Sequence, residues 1–362
     1  MKAKDVTDIV ERIAPLGLAA SWDNSGWQIG SPQAALTGVL LALDLTLPVV
    51  EEASAKGLNL IVVHHPVFFR PMNRLDLDVP RGRLVAEVVR RGLQVYAAHT
   101  NLDQAAEGVS MALAKRLELA DAKFLEPTTM PAYKLAVFVP PDHVEVVKQA
   151  MGEVGAGVIG AYGFCFWQTT GTGQFLPLAG ASPYVGQVGE VTKVEEARVE
   201  GVVESDKLPA VLQAMLAAHP YEEVAYDLYP LANAVRHTGW GAWGRLLRPM
   251  TIAELVAHVR QCLGAPTVRV IAGAHDRHET LAVCGGAGAS FLGQAARSAT
   301  AYVTADVKYH EAQDAAELGL TVLDVGHYYT ERPVLDELAA KIGDACPVPV
   351  IVSGILTSPF KE

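Results

Sequence analysis

Along the first third of the chain, short continuous apolar runs alternate with segments of helical periodicity. "GVLLALDLT" (38–46), "LNLIVVHHP" (58–66) and "LQVYAAHTNLD" (93–103) predict buried strands. "DVTDIVERIAP" (5–15) predicts a helix stopped by Pro15. "PVVEEASAKG" (48–57) and "GRLVAEVVRRG" (82–92) predict helices closed by Gly57 and Gly92, and "VSMALAKRLEL" (109–119) a further one. Strands apolar on both faces and joined by helices belong to parallel βαβ units covered on both sides.

The pattern changes after Tyr133. "KLAVFVP", "DHVEVVKQAMGEVG", "GFCFWQTTGTGQF", "VEEARVEGVVE", "DKLPAVLQAMLAAH" and "VAYDLYPL" give the order βαββαβ, which is ferredoxin-like. The flanks "EPTTMP" (126–131) and "PLANAVRHTGWGAWG" (230–244) read as loops. Beyond Arg245 the βα alternation returns, with strands at "VRVIAG", "LAVCGGAG", "AYVTADV" and "LTVLDVG". The expected fold is an α/β core domain with a largely parallel sheet, residues 1–127 and 232–362, interrupted by an inserted α+β module at 128–231.

Ligands of parallel α/β sheets bind at the carboxyl ends of the strands. Those ends carry Asp44; His64 and His65; His99, Asn101 and Asp103; Asp306, Lys308 and His310; then Asp324, His327 and Glu331. His327 and Glu331 are one helical turn apart, at the N-terminus of a helix in which Pro333 is tolerated only near the first turn. Adjacent histidines on a strand point to opposite faces. Pro66 ends the strand and keeps His65 out of helical geometry, so both rings can reach one site. His64, His65, Asp103, His327 and Glu331 form a set without thiolates, suited to Zn, Fe, Mn or Co. A single ion needs fewer ligands, whereas two ions sharing a carboxylate use all five.

Blander roles compete for some of these residues. Asp44 and Asp324 fit helix N-caps. "CGGAGAS" (284–290) fits either a phosphate cradle or a tight strand-to-helix turn. "HPYEE" (219–223) reads better as a helix-ending turn than as a metal site, and "WDNSGWQIG" (22–30) as either packing or site lining.

Composition narrows the classes. The net charge of −11 disfavours nucleic acid, whose binding depends on neutralising phosphates. Four dispersed cysteines with no CxxC pair argue against a disulfide framework or a thiolate zinc site. No apolar run approaches the roughly 20 residues needed to cross a membrane. The N-terminus lacks a signal peptide's apolar stretch, so a soluble cytoplasmic protein is expected.

"WDNSGWQIG", "VVHHPVFF", "AAHTNLD", "VCGGAGAS", "TADVKYH" and "DVGHYYTE", in this order, resemble the Nif-three-like dinuclear metal-centre family, whose members carry the label GTP cyclohydrolase 1 type 2 homologue. The middle segment resembles the PII/CutA-like module of its longer bacterial members. The resemblance implies two divalent metal ions on His64, His65, Asp103, His327 and Glu331. It also implies a toroidal homohexamer whose openings the insert caps. Trp27 stands where an aliphatic residue is usual, and Ala305 where glycine is.

The expected activity is metal-dependent hydrolysis of a nucleotide or phosphoester, with His99 and His310 in proton transfer or substrate contact and Lys308 meeting phosphate. The alternative is a non-enzymatic oligomeric metal-binding or regulatory scaffold with a protein or nucleic-acid partner.

Overall fold

The computed structural model describes residues 1–233 and 237–360. The chain begins α1 (Ala3–Ile13), β1 (Gly26–Ile29), β2 (Val39–Ala42), α2 (Leu47–Ala55), β3 (Leu60–Val63) and α3 (Pro80–Arg90). It continues β4 (Gln94–Ala97), α4 (Thr100–Gln104), α5 (Val109–Arg116) and β5 (Ala120–Thr129). The middle holds β6 (Ala132–Val139), α6 (Val144–Glu153), β7 (Phe166–Phe175), β8 (Thr192–Glu204), α7 (Leu208–Ala218) and β9 (Tyr226–Pro230). Then come β10 (His237–Thr251), α8 (Ile252–Leu263), β11 (Arg269–Ile271), β12 (Arg277–Ala287), α9 (Leu292–Ser298) and β13 (Ala301–Ala305). The last elements are α10 (Tyr309–Glu317), β14 (Thr321–Asp324), α11 (His327–Glu331), α12 (Pro333–Ala345) and β15 (Val350–Val352).

Two compact units result: Met1–Thr128 together with the chain from Thr238 onward, and Thr129–His237. The first unit is α/β, but it contains two sheets where one was expected. One has the order β1-β4-β3-β2-β15, the other β11-β14-β13-β12-β10-β5. β15, β2, β3 and β4 are mutually parallel, as are β12, β13 and β14, while β1 and β11 run antiparallel at edges. Every residue of β2, β3, β4, β13 and β14 is buried, as strands covered on both faces must be.

Helices supply the cover. Val49, Val50 and Ala53 of α2 with Val85 and Val88 of α3 pack on Leu40, Ile61 and Val95. On the second sheet, Leu113 of α5 and Leu255 and Val259 of α8 join Leu281, Val303 and Leu323. Leu292 and Ala295 of α9 with Ala315 of α10 join a separate cluster containing Ala282 and Val322. Each fully buried Leu, Ile or Val contributes roughly 1.5–3 kcal/mol, which fixes the strand ends against one another.

Both segments read as loops at the insert's flanks are strands. Glu126–Thr129 belongs to β5 and residues 237–244 to β10, neighbours in the six-stranded sheet, whereas residues 234–236 lie outside the described residues. The glycines suggested a loop, yet here they permit close approach between strands. A Cβ on Gly239 would stand 2.5 Å from the Glu126 carbonyl oxygen. The hydroxyls of Thr128 and Thr238 are 2.9 Å apart, so the insert leaves and re-enters at adjacent points and stretches neither strand.

In the second unit the strand order is β7-β8-β6-β9, antiparallel throughout. With α6 and α7 this is the ferredoxin-like arrangement. Its core is formed by Leu135, Val137, Val147, Met151, Val199, Val211 and Met215.

Candidate metal centre

The carboxyl ends of strands from both sheets of the first unit supply one cluster of polar side chains. After β3, the amides of His64 and His65 both donate to the Leu43 carbonyl at the end of β2, at 3.2 and 2.9 Å. The ladder therefore ends with both residues turned to one side, and their ring centroids lie 4.9 Å apart. His99 follows β4, and Asp103 lies in α4, which begins directly after it. From the second sheet, α11 starts after β14 and carries His327 and Glu331, whose Nε2 and Oε1 are 2.9 Å apart. Pro333 takes the first turn of α12, where its missing N–H is harmless.

The imidazoles share one design. Each Nδ1 is tied outward: His64 to the Ala98 carbonyl at 2.7 Å, His65 to Asp44 at 2.8 Å, His99 to Asp23 at 2.7 Å and His327 to Asp306 at 2.6 Å. An Nδ1–H donated outward fixes the tautomer and turns the Nε2 lone pair inward, as metal-binding histidines require.

Glu331 sits at the centre, buried, with Oε2 3.2 Å from His65 Nε2 and Oε1 3.6 Å from His64 Nε2. His64 Nε2 is also 3.6 Å from Asp103 Oδ1 and is a buried nitrogen with no hydrogen-bond partner. The two 3.6 Å spacings of His64 are too long for hydrogen bonds but fit a cation, because ligands about 2.0–2.2 Å from one ion at tetrahedral angles stand about 3.3–3.6 Å apart. His64, His65 and His99 form one group able to hold an ion; His65, His327 and Glu331 form another. The residues present therefore fit a metal.

Electrostatics agree with this arrangement. Burial opposes charge on His65, yet hydrogen bonds to Asp44 and Glu331 raise its pKa to about 10. Burial likewise opposes charge on His327, and Glu331 and Asp306 bring it up to about 9. Glu331 resists burial because three imidazoles hold it well below the usual carboxylate range. Burial raises Asp103 to about 6 against the pull of His64.

Lys308 and His310 are not brought to this cluster. They face solvent at the start of α10, where Lys308 lies 3.7 Å from Glu311 and His310 pairs with Gln313. The residue that turns inward from that segment is Asp306, which takes φ 56° immediately after the buried Ala305. Trp27 packs edge-on against Tyr96 in the first sheet.

Several residues with weaker sequence signals prove important. Asp44 is not the cap of α2, which is Thr46; its carboxylate takes His65 Nδ1 and the Thr357 hydroxyl, the latter at 2.5 Å. Asp324 caps no helix with its side chain and instead accepts the Val307 and Gly326 amides and Arg269. Asp23, inside "WDNSGWQIG", accepts the hydroxyls of Ser25 and Thr100 and holds His99. "CGGAGAS" is a tight turn, not a phosphate cradle: the amides of Gly285, Gly286 and Gly288 donate to Ser110, Thr330 and Thr304. "HPYEE" is a helix-ending turn, with both ring nitrogens of His219 occupied by backbone groups.

These outer contacts are open to test. Removing an outer-shell partner of a metal-bound histidine typically costs 10–100-fold in metal affinity. Asp44→Ala is expected to weaken metal binding by about that factor while leaving ion stoichiometry at saturation unchanged. Competition against a chelator measures it, and an unchanged affinity would show that Asp44 does not orient His65.

A cavity of about 550 Å³ opens on the cluster, lined by His65, His99, Asp103, His327 and Glu331 together with aromatic side chains. That size is ordinary for a small-molecule site.

A model of the Duf34/NIF3 family (NGG1p interacting factor 3) matches residues 1–359. A Bacillus subtilis protein called GTP cyclohydrolase 1 type 2 homolog is 39% identical over 367 residues, covering 99% of this chain and 98% of that protein. A Mycobacterium tuberculosis protein of the same name is 38% identical, covering 99% and 97%. Among solved structures, a Bacillus cereus protein related to NIF3 is 37% identical with a TM-score of 0.81, covering 100% of this chain and 99% of that one. A Staphylococcus aureus protein is 28% identical with a TM-score of 0.74 over the same shares. The chain is a member of the Duf34/NIF3 family.

Proposed function

We infer that the protein is a dinuclear-metal hydrolase acting on a nucleotide or phosphoester. The observation that carries this is the convergence of three outward-anchored imidazoles, His64, His65 and His327, on one buried glutamate beside an open cavity, with His99 anchored in the same way next to them. His64, His65, Asp103, His327 and Glu331 would together hold two divalent ions. Zn, Fe, Mn and Co all suit this ligand set. Two such ions supply Lewis-acid polarisation and a water acidified toward neutral pH.

The chain's own groups supply the rest. Asp23 fixes His99 through Nδ1, which leaves Nε2 at the cavity to accept or return a proton. Asp44 and Asp306 hold His65 and His327 in place. The names of the relatives, GTP cyclohydrolase 1 type 2 homolog, support a nucleotide as substrate.

The protein works as a homohexamer in the cytoplasm, with the second unit as a PII/CutA-like module in the assembly. Exposed Tyr162, Phe164, Trp167, Leu178 and Val191 in that unit support an assembly contact. No helix among the described residues is long and apolar enough to cross a membrane.

The test is incubation of metal-loaded protein with GTP, other nucleoside triphosphates and simple phosphoesters, read by chromatography. Turnover that disappears with His65→Ala is expected; turnover untouched by that change would sink the assignment. Two bound ions without turnover on any of these compounds would leave the metals structural or sensory.

A further inference from the structure

Resting on the nucleotide reading of the same site, we propose that the aromatic rings around the cavity bind the planar base of the substrate, with Trp22 and Phe69 as specificity-determining contacts. Trp22 is 61% exposed and Phe69 49%, an unusual placement for two large aromatic rings unless something covers them. Their centroids lie 5.9 Å apart, and each is 6.2 Å from the ring of His99. A second pair, Trp240 and Phe291, stacks at 6.1 Å with planes 26° apart and lines the same cavity.

The segment that carries Trp22 is well fixed. Asp23 next to it takes the Thr100 amide and hydroxyl, the Ser25 hydroxyl and His99 Nδ1. The indole is thus held beside the metal cluster while its surface stays free, which lowers the ordering cost of stacking a ligand on it.

Charge around the cavity points the same way. Among the described lining residues there is no lysine or arginine, and the charged groups are the imidazoles and carboxylates of the cluster itself. The chain therefore offers π-faces to a base but no cation of its own to a phosphate. Stacking suits any base, because every base has a π-face. The lining accordingly selects for a base rather than for one base over another.

Calorimetry on the metal-loaded full chain, with guanosine, GMP and ribose 5-phosphate as probes, tests this without relying on turnover. Guanosine and GMP are expected to bind, and ribose 5-phosphate to bind about tenfold or more weakly than GMP. Trp22→Ala and Phe69→Ala are each expected to weaken guanosine binding about tenfold. Trp22→Phe is expected to retain most of the affinity, and elemental analysis to give the same metal content in all three variants. Ribose 5-phosphate binding as tightly as GMP would overturn the proposal. So would guanosine failing to bind the unaltered protein, guanosine binding undiminished in Trp22→Ala, or loss of metal in that variant. Guanosine held through Trp22 in a protein that hydrolyses neither nucleotides nor phosphoesters would instead overturn the hydrolase assignment alone.

Discussion

Glu331→Ala is expected to abolish high-affinity metal binding, lowering affinity more than about 100-fold, beyond the usual 10–100-fold cost of losing an outer-shell partner. The reason is position. Glu331 is 4% exposed, and its two oxygens lie 2.9 Å from His327 Nε2, 3.2 Å from His65 Nε2 and 3.6 Å from His64 Nε2. Any ion bound by two of those imidazoles would meet this carboxylate. The helix itself should persist, since alanine is the best helix former. Unchanged circular dichroism together with near-zero metal by elemental analysis is the expected pair of results. A variant that still holds the wild-type amount of metal would remove Glu331 from the centre.

Gly286→Ala is expected to damage the same centre from behind. Gly286 has φ 66°, a left-handed conformation costing other residues about 1–2 kcal/mol. A Cβ there would stand 2.4 Å from Glu331 Oε1 and 3.1 Å from His327 Nε2. The strain alone should lower Tm by roughly 2–8 °C, and the clash should push both ligands out of line. Gly57→Ala is the matched control, because Gly57 has φ 67° and nothing within 4 Å of its Cβ position. Both variants should lose stability, but only Gly286→Ala should lose metal affinity. Equal affinity in the two would mean that Glu331 and His327 can yield without cost.

Much of this centre is legible in the chain because it obeys local rules. A histidine pair at the end of an apolar run, followed by proline, marks the end of a strand. His327 and Glu331 are spaced by one helical turn, and a turn of helix brings them to 2.9 Å in the fold. The βαββαβ order of the insert is likewise a succession of local signals, and the strand pairing of the second unit follows it.

Other features have no local signature. Asp306, Lys308 and His310 all follow one strand, and the sequence offers Lys308 and His310 as the residues with a role. A single left-handed residue decides which of them turns toward the cluster. Asp44 satisfied the pattern of a helix cap, and only its contact with His65, 21 residues away in sequence, shows its other role. The glycines of residues 237–244 carried loop composition, yet close packing against β5 makes them strand.

The sequence by itself determined the alternation of strands and helices, the inserted module and the polar residues that follow the strands, because hydrophobic period, proline and helical spacing act over a few residues. The tertiary structure decided that two sheets, not one, supply the rim, and that Asp23, Asp44 and Asp306 orient the imidazoles. It also decided that Gly286 makes room for Glu331 and that Trp22 and Phe69 stand exposed beside the centre. Each of these depends on contacts between segments far apart in the chain, where packing chooses among partners that local chemistry leaves equal.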